Sequence, residues 1–173
     1  MSNETAGYLA EFNALRSEIL KRIEQRQQII VITLTLAGTF LGFGVKDGNE
    51  TISLIYPIIA AFLAFAWTQN DLRIKDLAKY IREAIEPQVP GLQYETTIHR
   101  LRQGWKGVSS IRFVSYSHEG LFVVTQAIAI LIGFSNPTIT TLDWVLIGLD
   151  FLAVGLVVWL ISQTRKRDPN LKS

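Results

Sequence analysis

Asp150 is the residue with the most chemistry to offer. It stands in the apolar run DWVLIGLDFLAVGLVVWLISQ, six residues beyond Trp144, or roughly 9 Å along a helix. A charged side chain at the centre of a membrane span costs about 2.5–3.5 kcal/mol on insertion scales and less toward an interface. Asp150 is therefore expected to face a bundle interior or a wet cavity. Gln126, in the run EGLFVVTQAIAILIGFS, lies at a similar depth, nine residues from Ser135. Its amide can donate to a carboxylate or accept from a carboxylic acid, so the two are expected to meet as an intramembrane polar pair. One reading of Asp150 is a proton or cation site. The other is an interhelical hydrogen bond that fixes register. The second is preferred, because proton relays need a chain of titratable groups and these runs hold no Lys, Arg or His.

Other chemistry is sparse. Glu95 precedes His99 by four residues, and His118 is followed by Glu119. A Glu/His pair at helical spacing has the donors for a metal, but zinc sites take three or four ligands, and solvated histidines are expected instead. Zero cysteines exclude disulfides, thiolate catalysis and Cys-based metal sites. No Walker loop, GxGxxG, HExxH or GxSxG is present. The expectation is no catalytic residue, no cofactor, no metal and no enzyme activity.

The elements that must position Asp150 and Gln126 are apolar stretches at about 28–45, 52–69, 119–135 and 143–163 in a chain that is 49% hydrophobic. A spanning helix needs about 20 apolar residues, and the third stretch is the shortest. Apolar residues at Tyr8, Phe12, Leu15, Ile19 and Ile23 keep one helical face. No Pro or Gly stands between Tyr8 and Ala37, which predicts one helix of nearly 40 residues running into the first span. After the second span the helical pattern continues through Ile74, Leu77, Ile81 and Ile85 to Pro87, and Pro90-Gly91 marks a turn. Spans one and two are thus expected to form an antiparallel hairpin. Its extensions would bury their stripes against each other or a second copy, with Ile19, Ile23, Leu77 and Ile81 as the assembly seam. Small residues predict close packing: Thr35, Gly38 and Gly42 in span one; Ser53, Pro57, Ala60 and Ala64 in span two; Gln126, Ala129 and Gly133 in span three; Gly148 and Gly155 in span four, on a face other than that of Asp150 and Ala153. Tyr94–Gln103 is expected as a short helix with Ile98 and Leu101 inward, and Gly104, Gly107, Ser109 and Ser110 as a break before the third span.

Charge sets the orientation. Of the 17 Lys and Arg residues, Lys46 alone falls opposite the others. Four precede the first span (Arg16, Lys21, Arg22, Arg26). Eight lie between the second and third (Arg73, Lys75, Lys79, Arg82, Arg100, Arg102, Lys106, Arg112). Four follow the last (Arg165, Lys166, Arg167, Lys172). Basic loops stay cytoplasmic, so four crossings with both termini inside are expected. The net charge of +2 then hides a basic inner face that suits anionic headgroups, which needs no reading beyond the insertion signal. Trp144 sits at an outer span end, Trp67 and Trp159 near inner ends, as interfacial rings do. The first 26 residues are too charged for a cleavable signal peptide, and the first span is expected to act as an uncleaved anchor. The outer loops KDGNE and NPTITT are short, so polar recognition surface is expected on the cytoplasmic side.

The run YIREAIEPQVPGLQYE, Tyr80 to Glu95, resembles a stretch that follows the second span in uncharacterised prokaryotic multi-pass membrane proteins of similar size. The resemblance implies a prokaryotic plasma (inner) membrane and no particular activity. The expected fold is all-α: a four-transmembrane-helix bundle in a single domain over 1–173, cytoplasmic at 1–27, 70–118 and 164–173. The expected function is a non-enzymatic integral membrane protein that acts by self-assembly or as a subunit of a larger membrane complex. The alternative is a small oligomeric ion channel or pore-forming effector. The expected partners are the lipid bilayer and a second copy or a complex partner, with no nucleic acid.

Overall fold

The computed structural model describes residues 3–46, 50–104, 109–135 and 140–166, and the side-chain surroundings of 4–46, 51–101, 120–135 and 140–163. With no early breaker, helix α1 runs unbroken over Asn3–Lys46. A 3-10 turn over Glu50–Ile55 leads into α2, Tyr56–Tyr80. Pro57 is tolerated there because the first helical turn has no use for its missing N–H. Ile81–Ile85 widens into a π turn, in which the Glu86 N–H donates to the Ile81 carbonyl. Pro87 then ends the run in a short 3-10 turn, Glu86–Gln88, because it has no N–H to continue the ladder. Gly91 takes the left-handed backbone at φ +88° that reverses the chain. Helices α3 (Tyr94–Gly104), α4 (Ser109–Phe134) and α5 (Thr141–Lys166) follow. The fold is all-α, with no strand among the described residues.

Three helical stretches are long and apolar enough to cross a membrane: Glu4–Lys46, Thr51–Gln88 and Thr141–Gln163. Gly120–Phe134 in α4 is apolar but shorter. Regular structure resumes earlier than expected before it. Ser109 and Ser110, expected in a break, open α4, in keeping with the preference of serine for helix starts over interiors. Both expected outer turns fall largely on 47–49 and 136–139, outside the described residues, as does Gly107 of the expected break.

The chain forms two compact units, one of Met1–Gln27 with Gln69–Arg112, the other of Gln28–Thr68 with Phe113–Ser173. In the first, Ile19, Ile81, Ile85 and Val89 are buried. Tyr80 Oη donates to Glu11, Arg22 Nη1 to Asn70 and Arg26 Nη1 to Asp71. The early α1 residue Glu11 meets the late α2 residue Tyr80, whereas the later Arg22 and Arg26 meet the earlier Asn70 and Asp71, so these two segments run antiparallel. In α3, Ile98 is half-buried, but Leu101 is half exposed rather than inward.

In the second unit one core cluster joins Ala61, Ala64 and Trp67 of α2, Phe122 of α4 and Val157 of α5. A second joins Ala37 of α1, Tyr56 and Ala60 of α2 and Ala129 of α4. Outside these clusters the surface is apolar on every helix: Val31, Leu34 and Phe43 on α1, Phe62 and Phe65 on α2, Val124 and Leu131 on α4, Phe151, Leu152 and Val158 on α5 are all exposed. The first unit exposes only Leu20, Tyr80, Tyr94 and Leu101 of its described large apolar side chains.

Candidate functional site

The second unit also buries polar groups beside these apolar clusters. Thr33, Ser53, Tyr56, Thr125, Gln126, Asp143 and Asp150 are all buried. Most are satisfied locally. Thr33 Oγ1 donates to the Ile29 carbonyl at 2.7 Å, Ser53 Oγ to the Ala129 carbonyl at 3.3 Å, and Tyr56 Oη to Thr125 Oγ1 at 2.8 Å. Thr125 Oγ1 in turn lies 2.8 Å from the Leu121 carbonyl.

Asp150 lies on the buried stripe of α5, in line with Asp143, Ile147, Val157 and Leu160. That stripe is anchored at two heights. Thr51 Oγ1 donates to Asp143 Oδ1 at 2.6 Å, and Val157 packs among Ala61, Ala64, Trp67 and Phe122. Asp150 is seven residues from each anchor, about 10 Å along the helix. Pro57 is correspondingly midway between Thr51 and Ala64 along the second chain segment, and Gln126 Nε2 donates to its carbonyl at 2.9 Å. Asp150 and Gln126 therefore share one level of this unit, and each is 0% exposed.

The hydrogen bond expected between them does not form. Both Asp150 oxygens and Gln126 Oε1 are buried without a hydrogen-bond partner. The reason is the Pro57 carbonyl, an acceptor that takes the amide N–H and so turns Gln126 Oε1, another acceptor, into the interior.

The small-residue faces divide. Ser53, Pro57, Ala60 and Ala64 of α2 and Gln126, Ala129 and Gly133 of α4 are buried as expected from their spacing. At Gly133 an added Cβ would collide with the Leu54 side chain, whose Cγ would lie 2.7 Å away. On α1 the buried face is instead Thr33, Ala37 and Gly44. Gly44 is close enough to Ser53 that an added Cβ would stand 3.0 Å from Ser53 Cβ. Gly38 and Gly42 face open space, as do Gly148 and Gly155.

Helix α5 opens on a capping box that the sequence reading missed. Thr140 N–H donates to Asp143 Oδ2 at 2.8 Å, and Asp143 N–H reaches back to Thr140 Oγ1 at 3.3 Å. The Thr-x-x-Asp spacing was the available signal, close to the usual Thr-x-x-Glu.

The first unit holds a second polar cluster around the chain reversal. Buried Glu86 receives the Glu95 N–H at 2.6 Å, the Thr96 N–H at 3.1 Å and the Thr96 hydroxyl at 2.5 Å. Arg16 lies over the Tyr94 ring, 4.3 Å from its centroid, and donates to Tyr94 Oη and Glu95 Oε1 at 2.8 and 2.9 Å. Asp71 pairs with both Arg26 and Lys75, at 2.6 and 2.8 Å. The Glu11 carboxylate, by accepting the Tyr80 hydroxyl, holds that phenol above its ordinary pKa. Of the seam residues, Ile19 and Ile81 are buried in this unit, and Ile23 and Leu77 are half-buried. Glu95 pairs with Arg16, and His118 falls outside the described side chains. Among the described residues no three metal-ligating side chains converge.

Comparison with protein-family models, with curated proteins and with solved structures gives no match. The functional reading rests on the chain itself.

Proposed function

We propose that this chain is a non-enzymatic multi-pass integral membrane protein that works by assembly, as a homo-oligomer or as a subunit of a membrane complex. The observation that carries the membrane half of this reading is the apolar exterior of the second unit. Large apolar side chains cover it, while several hydroxyls, an amide and two carboxyls are buried among small and apolar residues inside. Such a surface is far beyond the scattered apolar patches of soluble monomers and suits lipid.

The topology we propose has four crossings, α4 being the third, with both termini in the cytoplasm of a prokaryotic cell and the first unit on that side. It rests on the distribution of Lys and Arg. The chain has no cysteine, so single cysteines report cleanly. In intact spheroplasts a membrane-impermeant maleimide should label Lys46→Cys and Thr138→Cys and leave Ser2→Cys and Ser173→Cys unlabelled until the membrane is opened. Outside labelling at position 173 would replace four crossings with three.

Support for assembly comes from α5. Ile19 and Ile81 are buried within their own unit, which leaves little of the expected seam for another chain. On α5, by contrast, Gly148, Leu152, Gly155 and Trp159 recur at helical spacing, and all are exposed. Close approach of small residues is how membrane helices associate. Replacing Gly148 and Gly155 together with leucine should lower the native mass of the detergent-solubilised complex while membrane insertion persists. An unchanged mass would remove this interface. Reproducible single-channel currents from the purified protein, lost on substitution of Asp150 or Gln126, would favour a channel over this reading.

A further inference from the structure

Three acceptor atoms face the interior at one level of the second unit: the two oxygens of Asp150 and Oε1 of Gln126, all without a protein donor. The nearby hydroxyls are committed. Tyr56 donates to Thr125, Thr125 to a carbonyl of its own helix, Ser53 to the Ala129 carbonyl and Thr33 to the Ile29 carbonyl. No protein cation serves either. On α1, Lys46 closes the helix and is exposed. The described part of α2 in this unit has Tyr56 as its titratable group. The described side chains of α4 include none, and α5 contributes Asp143, itself held by Thr51 and Thr140. A buried carboxylate with no donor is costly to keep charged, and such a group is neutralised instead. A set made only of acceptors calls for a single positive charge.

We propose that Asp150, with Gln126 Oε1, binds one monovalent cation inside the membrane-embedded unit, either a proton or an alkali metal ion. The bound charge neutralises Asp150 and gives the Gln126 oxygen its missing partner. An Asp150-bound proton would be donated to Gln126 Oε1; an alkali ion would be held by the same oxygens. The inference goes beyond assembly and holds whether or not the protein oligomerises.

The test is thermal unfolding of full-length protein in detergent, wild type beside Asp150→Asn. One series exchanges choline for sodium or potassium at constant ionic strength; the other varies pH. In the wild type one series should raise Tm, by about 3–5 °C per tenfold of the bound ion above its dissociation constant. Asp150→Asn, which is neutral and supplies an amide donor for Gln126, should show no such dependence. A response to sodium or potassium identifies an alkali ion. A response to pH alone identifies the proton, and the infrared spectrum should then show a carboxylic acid band that shifts on isotopic labelling of aspartate. Should the asparagine variant not fold, Asp150→Glu serves, because it moves that band to the glutamate label and leaves radiolabelled sodium binding measurable. Identical alkali and pH dependence in wild type and Asp150→Asn would overturn the proposal. So would a wild type with neither the acid band nor sodium binding, where only the glutamate variant folds.

Discussion

Leucine in place of Gly133 should destabilise the second unit by about 3 kcal/mol, toward the upper end for overpacked cores. The collision partner, Leu54, is fully buried, so it cannot swing clear into solvent or lipid. Even Gly133→Ala meets Leu54 Cγ at 2.7 Å and Cδ1 at 3.2 Å. The sharper experiment is a double-mutant cycle. Leu54→Ala alone should cost about 2–5 kcal/mol as a cavity. Combined with Gly133→Ala it should cost clearly less than the two single changes together, with a coupling of about 1–3 kcal/mol. Simple additivity, measured by unfolding in detergent, would mean that the two side chains do not meet. Gly38→Ala and Gly42→Ala serve as controls: nothing lies within 4 Å of either added Cβ, so neither should destabilise the unit.

The contrast between these glycines shows how far spacing alone reaches. On α2 and α4 the small residues alternate with bulky ones at a clear helical period, and the faces they mark are the buried ones. On α1 the marker failed. The hydroxyls of Thr33, Thr35 and Thr39 all bond to carbonyls of their own helix, so a threonine there needs no neighbouring helix and says nothing about which side has one. The true face, Thr33–Ala37–Gly44, is turned from it by about 150° at 100° per residue. Asp150 and Gln126 illustrate the same boundary. Counting residues along a helix gives distance along its axis. It does not give azimuth, nor that the Pro57 carbonyl competes for the glutamine amide. The long α1 and the stop at Pro87 were legible because they depend on where breakers are absent or present.

Glu86 lay beyond such reading, and its substitution carries the second large effect. Helix α3 begins at Tyr94 with Gln93 before it, not one of the Ser, Thr, Asp or Asn residues that cap well. Its orphan N–H groups are met by a carboxylate from nine residues upstream, brought round by Pro87 and the left-handed Gly91. Negative charge at a helix N-terminus is also favoured by the helix dipole. Glu86→Ala removes an acceptor of three hydrogen bonds and strands the Glu95 N–H in a buried position. It should cost about 2–4 kcal/mol and abolish hydrogen-exchange protection through 95–101. Glu86→Gln should fall between, since an amide offers one acceptor oxygen where the carboxylate offers two. The effect should spread to α1, because α3 carries Tyr94 and Glu95, which hold Arg16. The reverse should be weaker. The Arg16–Glu95 pair is partly exposed, with side-chain exposures of 29% and 10%, and Arg16→Ala should cost about 1 kcal/mol. If Arg16→Ala instead matched or exceeded Glu86→Ala, α3 would be held in place by its ion pair with α1, and the buried cap would be secondary.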